Sequence, residues 1–137
     1  MDCKKINSYF QPLQLKKMKK NIGRYLFGSV FILAGISHFT MPEFFLIIMP
    51  PLLPYPLALV YISGLAEIVL GGALCFKKFE SKAALGLIFL LIAVFPANIY
   101  MALSEAVQNQ LNTPAVVAWL RLPLQGVFIG FANYFRK

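Results

Sequence analysis

Charge is what this sequence has least of. Asp, Glu, Lys and Arg make up 13% of its 137 residues, about half the roughly 25% of a soluble domain. Acids are scarcest, five against 13 Lys and Arg. Hydrophobic residues reach 59%, with a mean hydropathy of +0.71. A soluble fold of this size cannot bury that much apolar surface. A soluble globular domain and a disordered chain are therefore both excluded. The two cysteines, Cys3 and Cys75, form no CxxC and stand far apart. That excludes a disulfide-stapled secreted module and a thiol oxidoreductase working through its own cysteine pair. With a single histidine there is no His/Cys cluster at metal spacing, and no metal site is assigned. No nucleophile–base pair or phosphate loop supports a stand-alone hydrolase or kinase, so no catalytic residue is assigned. Internal repeats and low-complexity tracts are also missing.

Four long apolar runs remain, at about 22–39, 57–76, 83–103 and 115–135. Each is long enough to cross a ~30 Å hydrocarbon core at 1.5 Å per residue. Each must be helical, because lipid satisfies no exposed backbone group. The expected fold class is all-α: an integral membrane four-helix bundle formed by residues 22–137. Residues 1–21 are expected to be a basic, mobile cytoplasmic tail. Met18 inside it is a second possible start beside Met1. The tail and first run also fit a signal peptide cleaved near Gly35-Ile36-Ser37, although further spans follow.

Residues 40–56 break the pattern. Pro50, Pro51, Pro54 and Pro56 forbid a continuous helix, yet Phe44-Phe45-Leu46-Ile47-Ile48-Met49 is too apolar for an aqueous loop. A short re-entrant or interfacial helix is expected over about 41–49. Thr40 and Glu43 would form its capping box. Thr113 followed by Pro114 is read as the N-cap and first residue of the fourth span.

The net charge of +8 is unevenly spread. Seven basic residues lie within the first 24, three more are Lys77, Lys78 and Lys82, and Arg136 and Lys137 end the chain. Apart from Arg121, every base falls on one side of a four-span topology. The positive-inside rule then puts both termini in the cytoplasm. Bases that flank apolar spans, without a stripe of base-stacking aromatics, argue against nucleic acid as a partner. The partners expected are the lipid bilayer and either a membrane protein or a second copy of the chain.

Ionisable groups inside spans are costly and mark candidate sites. Two occur, Glu67 and Arg121. Glu67 lies between Gly64 and Gly71 on one helical face, where small residues admit another helix. Arg121 and Gln125, four apart, share a face with Ala118 and Ala132. Residue counts place Glu67 about 15 Å, Arg121 about 9 Å and Asn98 about 8 Å below the outer surface. His38 ends the first span. These five residues, His38, Glu67, Asn98, Arg121 and Gln125, are the candidates for a ligand site or proton relay in the outer half. No polar counterpart is expected in the inner half. Glu67 and Arg121 are expected to pair, whether to fix helix register or to form the site. Asn98 follows Pro96 and is alternatively a partner for a carbonyl freed by the proline kink.

Several stretches together resemble the DoxX-like family of small bacterial membrane proteins. They are Gly35-Ile36-Ser37-His38-Phe39, Met49-Pro50-Pro51-Leu52-Leu53-Pro54, Ser63 to Gly72, Phe95 to Met101, and Arg121-Leu122-Pro123-Leu124-Gln125. The resemblance covers about Gly23–Tyr134 and implies a four-helix bundle in the bacterial cytoplasmic (inner) membrane. It also implies an association with respiratory or sulfur redox complexes and their quinones, or with maturation of redox enzymes. The function expected is an accessory subunit of a membrane redox or quinone-linked system, with quinone as the candidate cofactor. The alternatives are a non-catalytic module that stabilises a partner protein, and a small-solute transporter. An inner half filled with Phe, Leu and Ile disfavours transport, which needs access from both sides.

Overall fold

The structure is a computed structural model that describes the backbone of residues 3–137 and the side chains of residues 12–137. Six helices follow in order: α1 (Cys3–Thr40), α2 (Pro42–Ile47), α3 (Pro56–Cys75), α4 (Glu80–Leu103), α5 (Glu105–Gln110) and α6 (Ala115–Arg136). No strand occurs among the described residues. Four segments are long and apolar enough to cross a membrane: Pro12–Thr40, Pro56–Cys75, Glu80–Leu103 and Ala115–Arg136. This is an all-α, multi-pass membrane protein, and its large apolar side chains face outward on every span, as lipid-facing residues do.

The basic segment expected as a separate tail is continuous with the first span in one helix. Met1, Asp2 and the side chains up to Gln11 lie outside the described residues. α2 replaces the expected helix over 41–49, one residue later and shorter. The expected capping box does not form. Thr40 is still the last residue of α1, its hydroxyl donating to the Ile36 carbonyl, and Met41 occupies the N-cap without a side-chain bond. Thr113 likewise does not cap α6. Its hydroxyl donates to the Leu111 carbonyl, and Pro114 takes the N-cap position. A short helix absent from the sequence reading, α5, is capped by Ser104 Oγ, which accepts from the Val107 amide.

α1 packs on α3, α3 on α4 and α4 on α6, which is up-down-up-down order with both termini at one end. The α1–α3 contact is backbone on backbone. A Cβ added at Gly71 would stand 2.7 Å from the Gly28 carbonyl oxygen, and one at Gly35 would stand 2.5 Å from that of Gly64. The two glycines of each helix are a heptad apart, so both fall in the seam of an antiparallel pair. The fourth side, between α1 and α6, is closed by rings. Phe27 packs on Phe128, Phe131 and Phe135, with centroids 5.8 to 6.0 Å away. Phe27, Phe31, Leu74, Leu87, Leu91 and Phe135 fill the core at the terminal end. A second core, of Ile48, Met101, Val107 and Ala118 with Phe44 and Phe45 against it, lies at the opposite end. His38, Glu67, Asn98 and Gln125 lie between the two, while Gln108, buried on α5, donates to the Met101 and Ala102 carbonyls at the end of α4.

The expectation of an apolar inner half holds for its core but not for its rim. Arg24, buried on α1, donates from Nη1 to Glu80 Oε2 at 3.1 Å, and Lys20 Nζ lies 2.9 Å from Glu80 Oε1. These bonds tie α1 to the start of α4. The sequence marks Arg24 only as a base at a membrane boundary, because sequence alone does not show that such a base turns inward.

The glycine seam yields a sharp contrast between neighbours. Gly71→Ala must push two backbones apart and should destabilise the bundle by roughly 1–3 kcal/mol, the usual cost of overpacking. At Gly72 nothing lies within 4 Å of an added Cβ, so Gly72→Ala should be neutral or slightly stabilising. Thermal unfolding in detergent measures both, and equal losses would refute the seam. The topology predicts that cysteines placed at the exposed Lys78 and Asn109, in a chain with Cys3 and Cys75 replaced by Ala, label from opposite faces of sealed vesicles.

Candidate functional site

The site is built where the α1–α3 contact meets α2. His38 belongs to the last turn of α1 and is buried, as Glu67 is on α3. The close helix approach positions them. A Cβ at Gly64 would meet that of His38 at 2.5 Å, so only glycine at 64 lets the imidazole lie across α3. His38 Nδ1 lies 2.9 Å from the Val60 carbonyl oxygen and 3.0 Å from Ser63 Oγ, and the Ser63 hydroxyl donates to the same carbonyl. A carbonyl can only accept, so Nδ1 carries a proton. Nε2 then faces Glu67 Oε2 at 3.7 Å. Between those two atoms sits one exchangeable proton position. Filled, that position makes the pair neutral whichever atom holds the proton; empty, it leaves the carboxylate ionised and Oε2 free to accept. Glu67 Oε2 is buried and receives no hydrogen bond, so an acceptor is left open beside the imidazole.

α2 covers this pair. The Phe45 ring stacks on the His38 imidazole at 3.7 Å and 29°. Phe44 meets Phe45 edge-on at 5.3 Å, and the Arg121 guanidinium lies 5.8 Å from the Phe44 centroid. The two rings thus stand between His38–Glu67 and Arg121. The expected Glu67–Arg121 ion pair is not formed: His38 is the ionisable neighbour of Glu67, and Arg121 joins no salt bridge among the described residues. Helix adjacency is the reason. α3 neighbours α1 and α4, whereas α6 packs on α4. Similar depth in the membrane did not make Glu67 and Arg121 neighbours.

Asn98 and Gln125 form a second group on α4 and α6. Asn98 Nδ2 donates to Gln125 Oε1 at 2.7 Å, and Gln125 Nε2 donates to the Leu91 carbonyl. The alternative for Asn98, bonding a carbonyl near the Pro96 kink, is met by Gln125 instead. Two amides are satisfied across one helix pair, which suits a structural clamp beside the two prolines, Pro96 and Pro123. The five sequence candidates therefore divide into His38–Glu67, Asn98–Gln125 and Arg121 against Phe44.

Sequence reasoning missed Ser63, Phe44 and Phe45. Ser63 is one helical turn before Glu67 and could have been placed on its face by spacing. The sequence placed the two rings in a short helix over the outer end, above His38, but which side chains they would meet depends on where α2 folds back. No group of three or more metal-ligating side chains occurs among the described residues.

Coupling should follow these groupings. In double-mutant cycles on unfolding, His38→Ala with Glu67→Gln should show an interaction of roughly 0.5–3 kcal/mol. Glu67→Gln with Arg121→Leu should be additive. The reverse pattern would restore the buried ion pair and displace the geometry above.

Residues 27–136 match the family described as a domain of unknown function, DUF8561, and the chain belongs to that family. No curated protein and no solved structure matches it.

Proposed function

We propose that this DUF8561 protein binds the polar head of a lipophilic small molecule at His38 and Glu67, as an accessory subunit of a membrane redox system. The observation that carries this reading is the buried Glu67 Oε2, which accepts no hydrogen bond while lying 3.7 Å from a histidine nitrogen. Leaving a polar group so unsatisfied costs roughly 1–3 kcal/mol, and a bound hydroxyl would remove that cost. A quinol is the first case. Its ring hydroxyl would donate to Oε2 of the ionised Glu67, and the His38–Glu67 pair would take up one of the two protons that oxidation to the quinone releases, the other leaving to water. Both electrons would pass to a redox partner. The DoxX-like resemblance supports the redox setting. The basic terminal end, facing the cytoplasm by the positive-inside rule, would put this site in the outer half of the inner membrane.

A second reading, a non-catalytic module that assembles with a partner protein, is favoured by the outer face of α6. There Gly126 and Gly130, four apart, have nothing within 4 Å of an added Cβ, which leaves room for a helix from outside.

Mild-detergent purification followed by mass spectrometry separates the two. The first reading expects a quinone that co-purifies with the wild type and is depleted about tenfold by Glu67→Gln, the 1.4 kcal/mol of one lost hydrogen bond. A stoichiometric protein without a quinone would favour the second.

A further inference from the structure

The charge cluster at the terminal end has a composition that the proposed site does not explain. Lys20 and Arg24 are one turn apart on α1 and share a single carboxylate, Glu80, one base on each oxygen. The cluster therefore keeps a net charge of +1. Arg24 has a side chain only 5% exposed, and its Nε is buried with no acceptor. Glu80 thus leaves the guanidinium incompletely satisfied. Lys20 remains 33% exposed and lies 5.7 Å over the Tyr134 ring of α6. The cluster opens at the α1–α6 seam, the side of the bundle closed by phenylalanine rings rather than by backbone contact. Around it lie Lys77, Lys78, Lys82, Arg136 and Lys137, none of which joins a salt bridge among the described residues. Just inside the same end, Ile22, Leu26 and Phe131 are more than half exposed on the lipid-facing surface.

We infer that the α1–α6 seam binds the headgroup of an anionic phospholipid, with the phosphate held by Lys20 and Arg24. Arginine's planar fork has donors left for a phosphate after one is spent on Glu80. Lys20 is accessible to the same anion and adds charge without a fixed geometry. Tyr134, on α6, and Tyr25, whose ring lies 5.2 Å from the Arg24 guanidinium, flank the headgroup level as interfacial aromatics do. The acyl chains run along the apolar surface of α1 and α6. A lipid meets both halves of this surface, whereas a soluble anion meets only the charged half. This inference does not depend on the redox reading, because it concerns the opposite end of the bundle.

The test uses the full chain in a neutral detergent, with phosphatidylglycerol and phosphatidylcholine added in turn and retained lipid counted by native mass spectrometry. Phosphatidylglycerol should be retained about tenfold or more over phosphatidylcholine, and excess inorganic phosphate should not displace it. Lys20→Gln removes a partly exposed charge and should lower retention about fivefold, as expected for one base near an anionic headgroup. Arg24→Lys keeps the charge facing Glu80 but loses the fork, and should lower retention while melting stays close to wild type. Equal retention of the two lipids, or wild-type retention in Lys20→Gln, would overturn the inference. Displacement by inorganic phosphate alone would overturn it too, by showing a simple anion site.

Discussion

Where α1 crosses α3, Gly28 faces Gly71 and Gly35 faces Gly64, and no side chain separates the two backbones. In lipid there is no hydrophobic drive between helices, so association rests on close packing and on polar contacts. This contact supplies the first and permits the second. It brings the last turn of α1 onto α3 closely enough for His38 to reach Val60, Ser63 and Glu67. A wider crossing would leave Glu67 buried without the imidazole, which is an unpaired group in a medium that cannot solvate it.

The rest of the bundle is organised around that constraint. α3 also holds α4, and α4 holds α6, so the chain turns back on itself in sequence order. The last side is then too wide for backbone contact and is filled by phenylalanines at the terminal end. At the other end, α2 and α5 close the bundle with a separate apolar cluster. His38, Glu67, Asn98 and Gln125 lie at the level between the two cores. There each amide of the Asn98–Gln125 pair finds a partner, whereas Glu67 Oε2 does not. That contrast is why His38–Glu67, and not Asn98–Gln125, carries the functional reading.

Phe44 and Phe45 make the site a covered one. Their rings take the surface of His38 on one side and of Arg121 on the other, so the cation stays apart from the carboxylate. An arginine over an aromatic face is stabilised by the ring quadrupole without needing an anion. This explains how a partly buried guanidinium is accommodated with no salt bridge. It also makes α2, bounded by Pro42 and the proline-rich turn, part of the site and not merely a connection between spans.

Composition and run length determined the class of this protein, the four spans and, except at the start of the first, which runs back into the basic segment, their limits within a few residues. Those properties follow from one-dimensional requirements, namely enough apolar residues to cross a bilayer and prolines or charges where the chain leaves it. The face of Glu67 was also legible, because Gly64 and Gly71 mark it by helical spacing. So was the inward direction of Gln125, from Ala118 and Ala132. Which groups meet was decided only by the tertiary structure. Depth along a helix is readable from residue counts, but a charge at a given depth can face any of three other helices. Charge complementarity alone points Glu67 to Arg121. The glycine contact made α1 its neighbour instead, placed α6 against α4, and let α2 insert two rings before Arg121. Arg24 follows the same logic: its sequence position says that it lies at a membrane boundary, and only the packing of α1 beside α4 turns it inward to Glu80.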